Sequence, residues 1–175
     1  MDLLMMFASY GIGGALLSEI DRREDVLKNK NEIFTIILAV INSLLLSYLI
    51  LNDASSAILF SAVLIGVIFG GKVDNLAFLI GSLILGGAIL FRIIYLNFSY
   101  AIPLVFALAI SALLDEYGHD RAKKYKTRLI GPFFEHRLTL KTSIMVLAIL
   151  NVISVWHFIA FLIFDIAYEL NSKRI

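Results

Sequence analysis

Five charged or imidazole side chains fall within Asp115-Glu116-Tyr117-Gly118-His119-Asp120-Arg121, at the end of an apolar run that otherwise carries no charge. On a continuing helix, Asp115 with His119, Glu116 with Asp120 and Glu116 with His119 stand three or four residues apart and share a face. Carboxylates and an imidazole so placed can ligate a divalent metal, and His119 with Asp120 can move a proton as acid and base. Gly118 is expected to loosen or end the helix, and the plainer alternative is a polar helix end facing water. The chain has no cysteine, so thiolate ligands, disulfides and cysteine nucleophiles are excluded. An oxygen-rich set favours Mg²⁺ or Mn²⁺ as the cofactor.

Smaller charged clusters recur at Glu19-Ile20-Asp21, at Lys72-Val73-Asp74-Asn75 and at Asp165 with Glu169. Asp165 sits in the apolar string Phe161-Leu162-Ile163-Phe164-Asp165-Ile166-Ala167-Tyr168. A carboxylate at membrane depth costs roughly 2.5–3.5 kcal/mol or more unless it is paired, protonated or hydrated. It is therefore expected to face the interior, with Lys72, His119 or a bound cation as partner; the alternative places it near headgroup water. The candidate metal set is Asp74, Asp115, Glu116, Asp165 and Glu169, with Lys72 and Arg121 gripping an anionic substrate. Gly70-Gly71-Lys72 lacks the spacing of a phosphate-binding loop and reads equally as a tight turn. Gly66 and Gly70 read as a helix-packing pair, and Arg92 as a base that snorkels to the interface. Glu19 can pair locally with Arg22 or Arg23, and His136 and His157 are isolated. No Ser/His/Asp triad, Walker motif, dinucleotide fingerprint or zinc-protease signature occurs.

These residues need elements to hold them together. Of 175 residues 60% are hydrophobic and 17% charged, with a mean hydropathy of +0.90. A soluble domain usually carries about a quarter charged residues, so the chain reads as one all-α, polytopic membrane helix bundle covering residues 1–175. Apolar spans are expected at 3–18, 33–51, 57–71, 76–96 and 101–116. The stretch 138–170 is too long for one crossing at 1.5 Å per residue. Two short helices, about 138–150 and 155–170, hinged at Asn151-Val152-Ile153-Ser154, give seven spans; one long or bent helix gives six. The N-terminus lacks the basic region of a signal peptide, so the first run reads as a retained helix.

In the seven-span arrangement every Lys and Arg except Arg92 lies on one side, and the opposite loops hold none. Short loops rich in bases stay cytoplasmic, which puts the N-terminus outside and the C-terminus inside. The run Arg121, Lys123, Lys124, Lys126, Arg128 marks the inner side and suits anionic lipid headgroups. Net charge is +1, so membrane lipids are the expected partners, with further copies of the chain an option and nucleic acid not expected. Ala15-Leu16-Leu17-Ser18-Glu19 resembles Ala112-Leu113-Leu114-Asp115-Glu116, which suggests a three-plus-one-plus-three internal repeat, with chance in a Leu- and Ala-rich chain as the alternative.

The acid-rich inner rim is similar to that of membrane enzymes handling lipid diphosphates, the prenyltransferases and CDP-alcohol phosphotransferases. Their repeated-Asp strings are absent here. The span order resembles trimeric intracellular cation channels and sugar-efflux carriers, whose glycine and proline motifs are absent too, so no residue role is carried over. The first functional expectation is an enzyme acting on a lipid or isoprenoid phosphate from the cytoplasmic side. The second is a small cation channel or transporter using the same carboxylates. The third is a non-catalytic membrane subunit.

Overall fold

Turn chemistry sets several of the helix boundaries. Asp53 is extended and its side chain accepts from the Ser56 amide at 2.6 Å, starting one helix; Asn75 does the same for Phe78 at 2.9 Å, starting another. Such side-chain acceptors satisfy amides that the first helical turn leaves without partners. Gly71, at φ 72°, reverses the chain between these two helices in a backbone region that favours glycine. Asn151, at φ 56°, takes the same left-handed region, which Asn tolerates better than most residues. It therefore divides the long apolar stretch.

The computed structural model describes residues 2–25, 32–121, 133 and 137–172, and among these it is all-helical, with seven α-helices and no strand. They are α1 (Leu3–Asp25), α2 (Glu32–Asn52), α3 (Ala54–Phe69), α4 (Leu76–Tyr95), α5 (Ile102–Arg121), α6 (Leu138–Ile149) and α7 (Val155–Ser172), with a 3₁₀ turn at Phe98–Ala101. The stretch 138–170 is thus two helices hinged where Asn151 and its neighbours predict. Two expectations are corrected. The first helix does not stop at residue 18 but continues to Asp25, because Glu19, Arg22 and Arg23 pair with one another along its surface. Gly118 does not end α5, which runs on to Arg121; Gly118 is buried, where a side-chain-free residue packs well. The basic residues Lys123, Lys124, Lys126 and Arg128, with His136, Lys173 and Arg174, lie outside the described residues.

Packing is dominated by α1 against α7, α3 against α5 and α2 against α4. Two of these pairs approach at backbone distance. A Cβ on Gly14 would stand 2.1 Å from the Phe164 carbonyl oxygen, and one on Gly66 would stand 2.6 Å from the Ala112 Cβ. Gly70 likewise lies against Glu116, so Gly66 and Gly70 serve the packing of α3 on α5. The core between helices is aromatic and aliphatic, with Tyr10, Leu49, Ile50, Phe60, Leu108 and Phe164 buried together.

Outward faces are strongly apolar: Leu83, Leu90 and Ile149 are 60–69% exposed. Helices α1 (over Leu3–Glu24), α2 and α4 are long and apolar enough to cross a membrane, while α3 and α6 are shorter apolar helices. Polar cross-links gather at the two ends. At one end, His157 Nε2 meets Asp53 Oδ2 at 2.8 Å, and the Tyr10 hydroxyl donates to Ser56 Oγ at 2.9 Å. Arg92 also belongs there, but it does not snorkel. Its Nη1 donates to the Ile50 and Leu51 carbonyls at 2.6 and 2.7 Å, and its guanidinium lies 5.4 Å from the Phe98 ring centre. It satisfies the carbonyls that the end of α2 leaves open. The opposite end carries the charged residues that line a cavity.

Candidate functional site: a charged cavity at one end of the bundle

Asp115 and Glu116 are adjacent on α5 and face different tasks. The Asp115 carboxylate accepts from the amides of Thr139 and Leu140, at 2.8 and 2.7 Å. Arg137, at the cap position of α6, provides no side-chain cap of its own. Asp115 therefore caps α6 from the neighbouring helix, and both its oxygens are engaged in doing so. Glu116 instead collects bases: Lys72 Nζ lies 2.9 Å from Oε1 and Arg137 Nη2 lies 3.3 Å from Oε2. The Arg137 guanidinium also stands 5.8 Å from the Tyr168 ring centre, a cation–π distance.

Lys141, one turn into α6, reaches Asp165 of α7 at 2.5 Å and stands 3.8 Å from Glu169. Among the described residues Lys141 is thus the partner of Asp165, while Lys72 pairs with Glu116. The Tyr168 hydroxyl donates to Asp21 of α1. Low exposure of Glu116 and Lys141 (side chains 9% and 12%) makes these pairs stronger than surface ion pairs. Each is held because it is paired: one acid or base alone at this depth would be left with a desolvated charge.

These side chains surround a cavity of about 430 Å³. Lys72, Asp74, Asp115, Glu116 and Asp165 all line it, so five of the nine residues singled out from the sequence meet at one place. Glu169 contacts the cavity's Lys141 without lining the cavity itself. His119, Asp120 and Arg121 belong to the last turn of α5, and their side chains lie outside what the structure describes. Among the described residues no three His, Asp or Glu side chains gather as a metal-ligating group. Asp74 lies exposed near the rim, with the Asn75 amide donating to it at 3.3 Å.

Deeper in, the lining turns apolar. Leu46, Phe60, Leu85 and Phe161 form the walls, with Asn42 and Ser43 of α2 and Ser82 of α4 as isolated polar groups. Sequence reasoning missed Arg137, Lys141 and Tyr168 as site residues, and it placed Asp21 in a charged cluster without giving it a partner. Lys141 was within reach: it is the single Lys or Arg in the apolar stretch 138–170, which also holds the acids Asp165 and Glu169. A base alone among apolar residues is expected to find an acid of the neighbouring helix.

No protein-family model, curated protein or solved structure matches this chain.

Proposed function

We propose that this chain is a multi-pass membrane protein that receives a lipid or isoprenoid phosphate at its cytoplasmic face and acts on it there. The observation that carries this reading is the convergence of two bases, Lys72 and Arg137, on one carboxylate, Glu116, at the charged end of a cavity with apolar walls. An incoming phosphate can take both bases from Glu116, gaining charge-assisted hydrogen bonds. Phe60, Leu85 and Phe161 would meet the hydrocarbon. Mg²⁺ or Mn²⁺ arriving with the phosphate would take Asp74 at the rim as its protein ligand. His119 and Asp120, on the last turn of α5, are the proposed acid–base pair.

All seven helices cross in this proposal, with the N-terminus outside. At 12 residues α6 covers only about 18 Å, so its inner end, with Arg137 and Lys141, would sit below headgroup level and leave the cavity open to it. A three-plus-one-plus-three repeat would pair α1 with α5 and α3 with α7, and a glycine, Gly14 or Gly66, sits against the neighbouring helix in both the α1–α7 and the α3–α5 packing. The extensive α1–α7 and α3–α5 contacts would then be copies of one another.

The test is binding of decyl phosphate to the purified protein in nanodiscs, by calorimetry. Saturable binding, weakened at least tenfold in Lys72→Ala/Arg137→Ala, is expected; no saturable binding refutes the reading. Since the chain has no cysteine, single cysteines at Asp74 and Asn151 report sidedness, and labelling of both from one side refutes the crossings.

One observation favours a second reading. Five carboxylates (Asp21, Asp74, Asp115, Glu116, Asp165) line the cavity against three bases (Lys72, Arg137, Lys141), an excess that suits a permeating cation. Cation flux into liposomes that is lost in Asp165→Asn would select it.

A further inference from the structure

One cavity residue has no task in binding a phosphate. Asn42 is in the middle of α2, only 3% exposed, and its Oδ1 is buried with no hydrogen-bond partner among the described residues. It nevertheless lines the cavity beside Ser43. A carbonyl oxygen buried without a partner loses the water it would otherwise bind and regains nothing. A plain hydrocarbon chain lying against it would leave it unsatisfied.

We propose that Asn42 is a polar subsite deep in this cavity, taking a hydroxyl carried on the ligand's chain about 12 Å from its phosphate. The distance follows from α1. Gly13 abuts Asn42, since a Cβ there would stand 3.6 Å from Oδ1, and Asp21 lies at the charged end, bonded to Tyr168. Eight helical residues separate Gly13 from Asp21, or about 12 Å of rise. A side chain at Gly13 would press on Leu46 at 3.0 Å, so α1 stays close to Asn42 only as long as this residue is small. A hydroxyl suits the site because it can donate to Oδ1 and accept from the amide nitrogen. The ligand class is then a phosphate amphiphile hydroxylated part-way along its chain, rather than a simple alkyl or polyprenyl phosphate. This inference rests on the headgroup reading above.

Decyl phosphate and 10-hydroxydecyl phosphate are suitable probes, because ten methylenes span close to the required distance. Their affinities for the full chain in nanodiscs are measured for the wild type and for Asn42→Leu, and the ratio of the two is compared, which cancels partitioning into lipid. The hydroxyl preference is expected to fall three- to tenfold in Asn42→Leu, about the worth of one hydrogen bond. An unchanged ratio, with both probes still weakened by Lys72→Ala, overturns the subsite and leaves the headgroup reading standing. Failure of both probes to bind the wild type removes both. If Asn42→Leu does not fold, 10-methoxydecyl phosphate serves on the wild type, since it cannot donate. A three- to tenfold loss against the hydroxyl probe is expected, and equal binding overturns the proposal.

Discussion

Asp115 caps a helix to which it does not belong: its two carboxylate oxygens hold the amides of Thr139 and Leu140 at the start of α6. The adjacent Glu116 holds Lys72 and Arg137. One turn of α5 therefore fixes both the position of α6 and the bases at the cavity mouth. Asp115→Ala should lower stability by about 1–2 kcal/mol, the usual cost of losing a cap, with Asp115→Asn between it and the wild type. Thermal unfolding in a mild detergent reads this. An Asp115→Ala protein as stable as the wild type would show that the cap contributes nothing.

Lys141 and Asp165 form an enclosed ion pair that the sequence pattern did not match up. Removing Lys141 should cost about 3–5 kcal/mol, because Asp165 then loses its cation, and removing Asp165 should cost less, because Lys141 keeps Glu169. Lys141→Met with Asp165→Leu should recover most of that loss, since neither charge then remains. The measurement is a double-mutant cycle of unfolding free energies. Simple additivity of the two single losses would mean that the residues do not interact.

The opposite end of the bundle predicts an acid limb in stability. Burial alone would raise the Asp53 carboxyl, but hydrogen bonds from His157 and from the backbone and hydroxyl of Ser56 outweigh it and bring it down to about 2, against 3.8 ordinarily. A carboxyl depressed in the folded state stabilises above its unfolded value and loses that contribution as pH falls toward the folded one. Stability from Asp53 should therefore be complete above about pH 4 and fall between roughly pH 4 and pH 2, by at most about 2 kcal/mol. Unfolding followed across this range should show a shallower acid limb in Asp53→Asn. Identical limbs would exclude Asp53 as the group responsible.

Glycine is needed where backbones touch and idle elsewhere. A Cβ at Gly14 would meet the Phe164 carbonyl oxygen at 2.1 Å, whereas nothing stands within 4 Å of one at Gly87. Gly14→Ala should force α1 from α7 and cost about 1–3 kcal/mol, while Gly87→Ala should be neutral or slightly stabilising through helix propensity. Equal melting temperatures for the two variants would contradict the packing described.

The helices and their breaks were legible in the sequence because local physics sets them. Asn151 interrupts an apolar stretch with a residue suited to left-handed backbone, and α6 and α7 part there. The convergence of Lys72, Asp74, Asp115, Glu116 and Asp165 on one cavity also followed from reading charged clusters as helix ends. Side-chain partners were not legible. Asp115 and Glu116 look alike in sequence, yet one binds amides and the other binds cations, a distinction set by where α6 starts. The continuation of α5 through Gly118 was hidden for a similar reason: propensity disfavours glycine in a helix, and packing overrides it. Arg92 resembled an interfacial base until the open carbonyls of α2 were placed beside it.

In the proposed function the charged mouth, and not the apolar exterior, receives an anionic amphiphile. A structure of the protein with decyl phosphate bound tests it most directly. Phosphate oxygens are expected about 3 Å from Lys72 Nζ and the Arg137 guanidinium, with the alkyl chain between Phe60 and Phe161. A phosphate resolved anywhere else, with Lys72 and Arg137 still closed on Glu116, would contradict it.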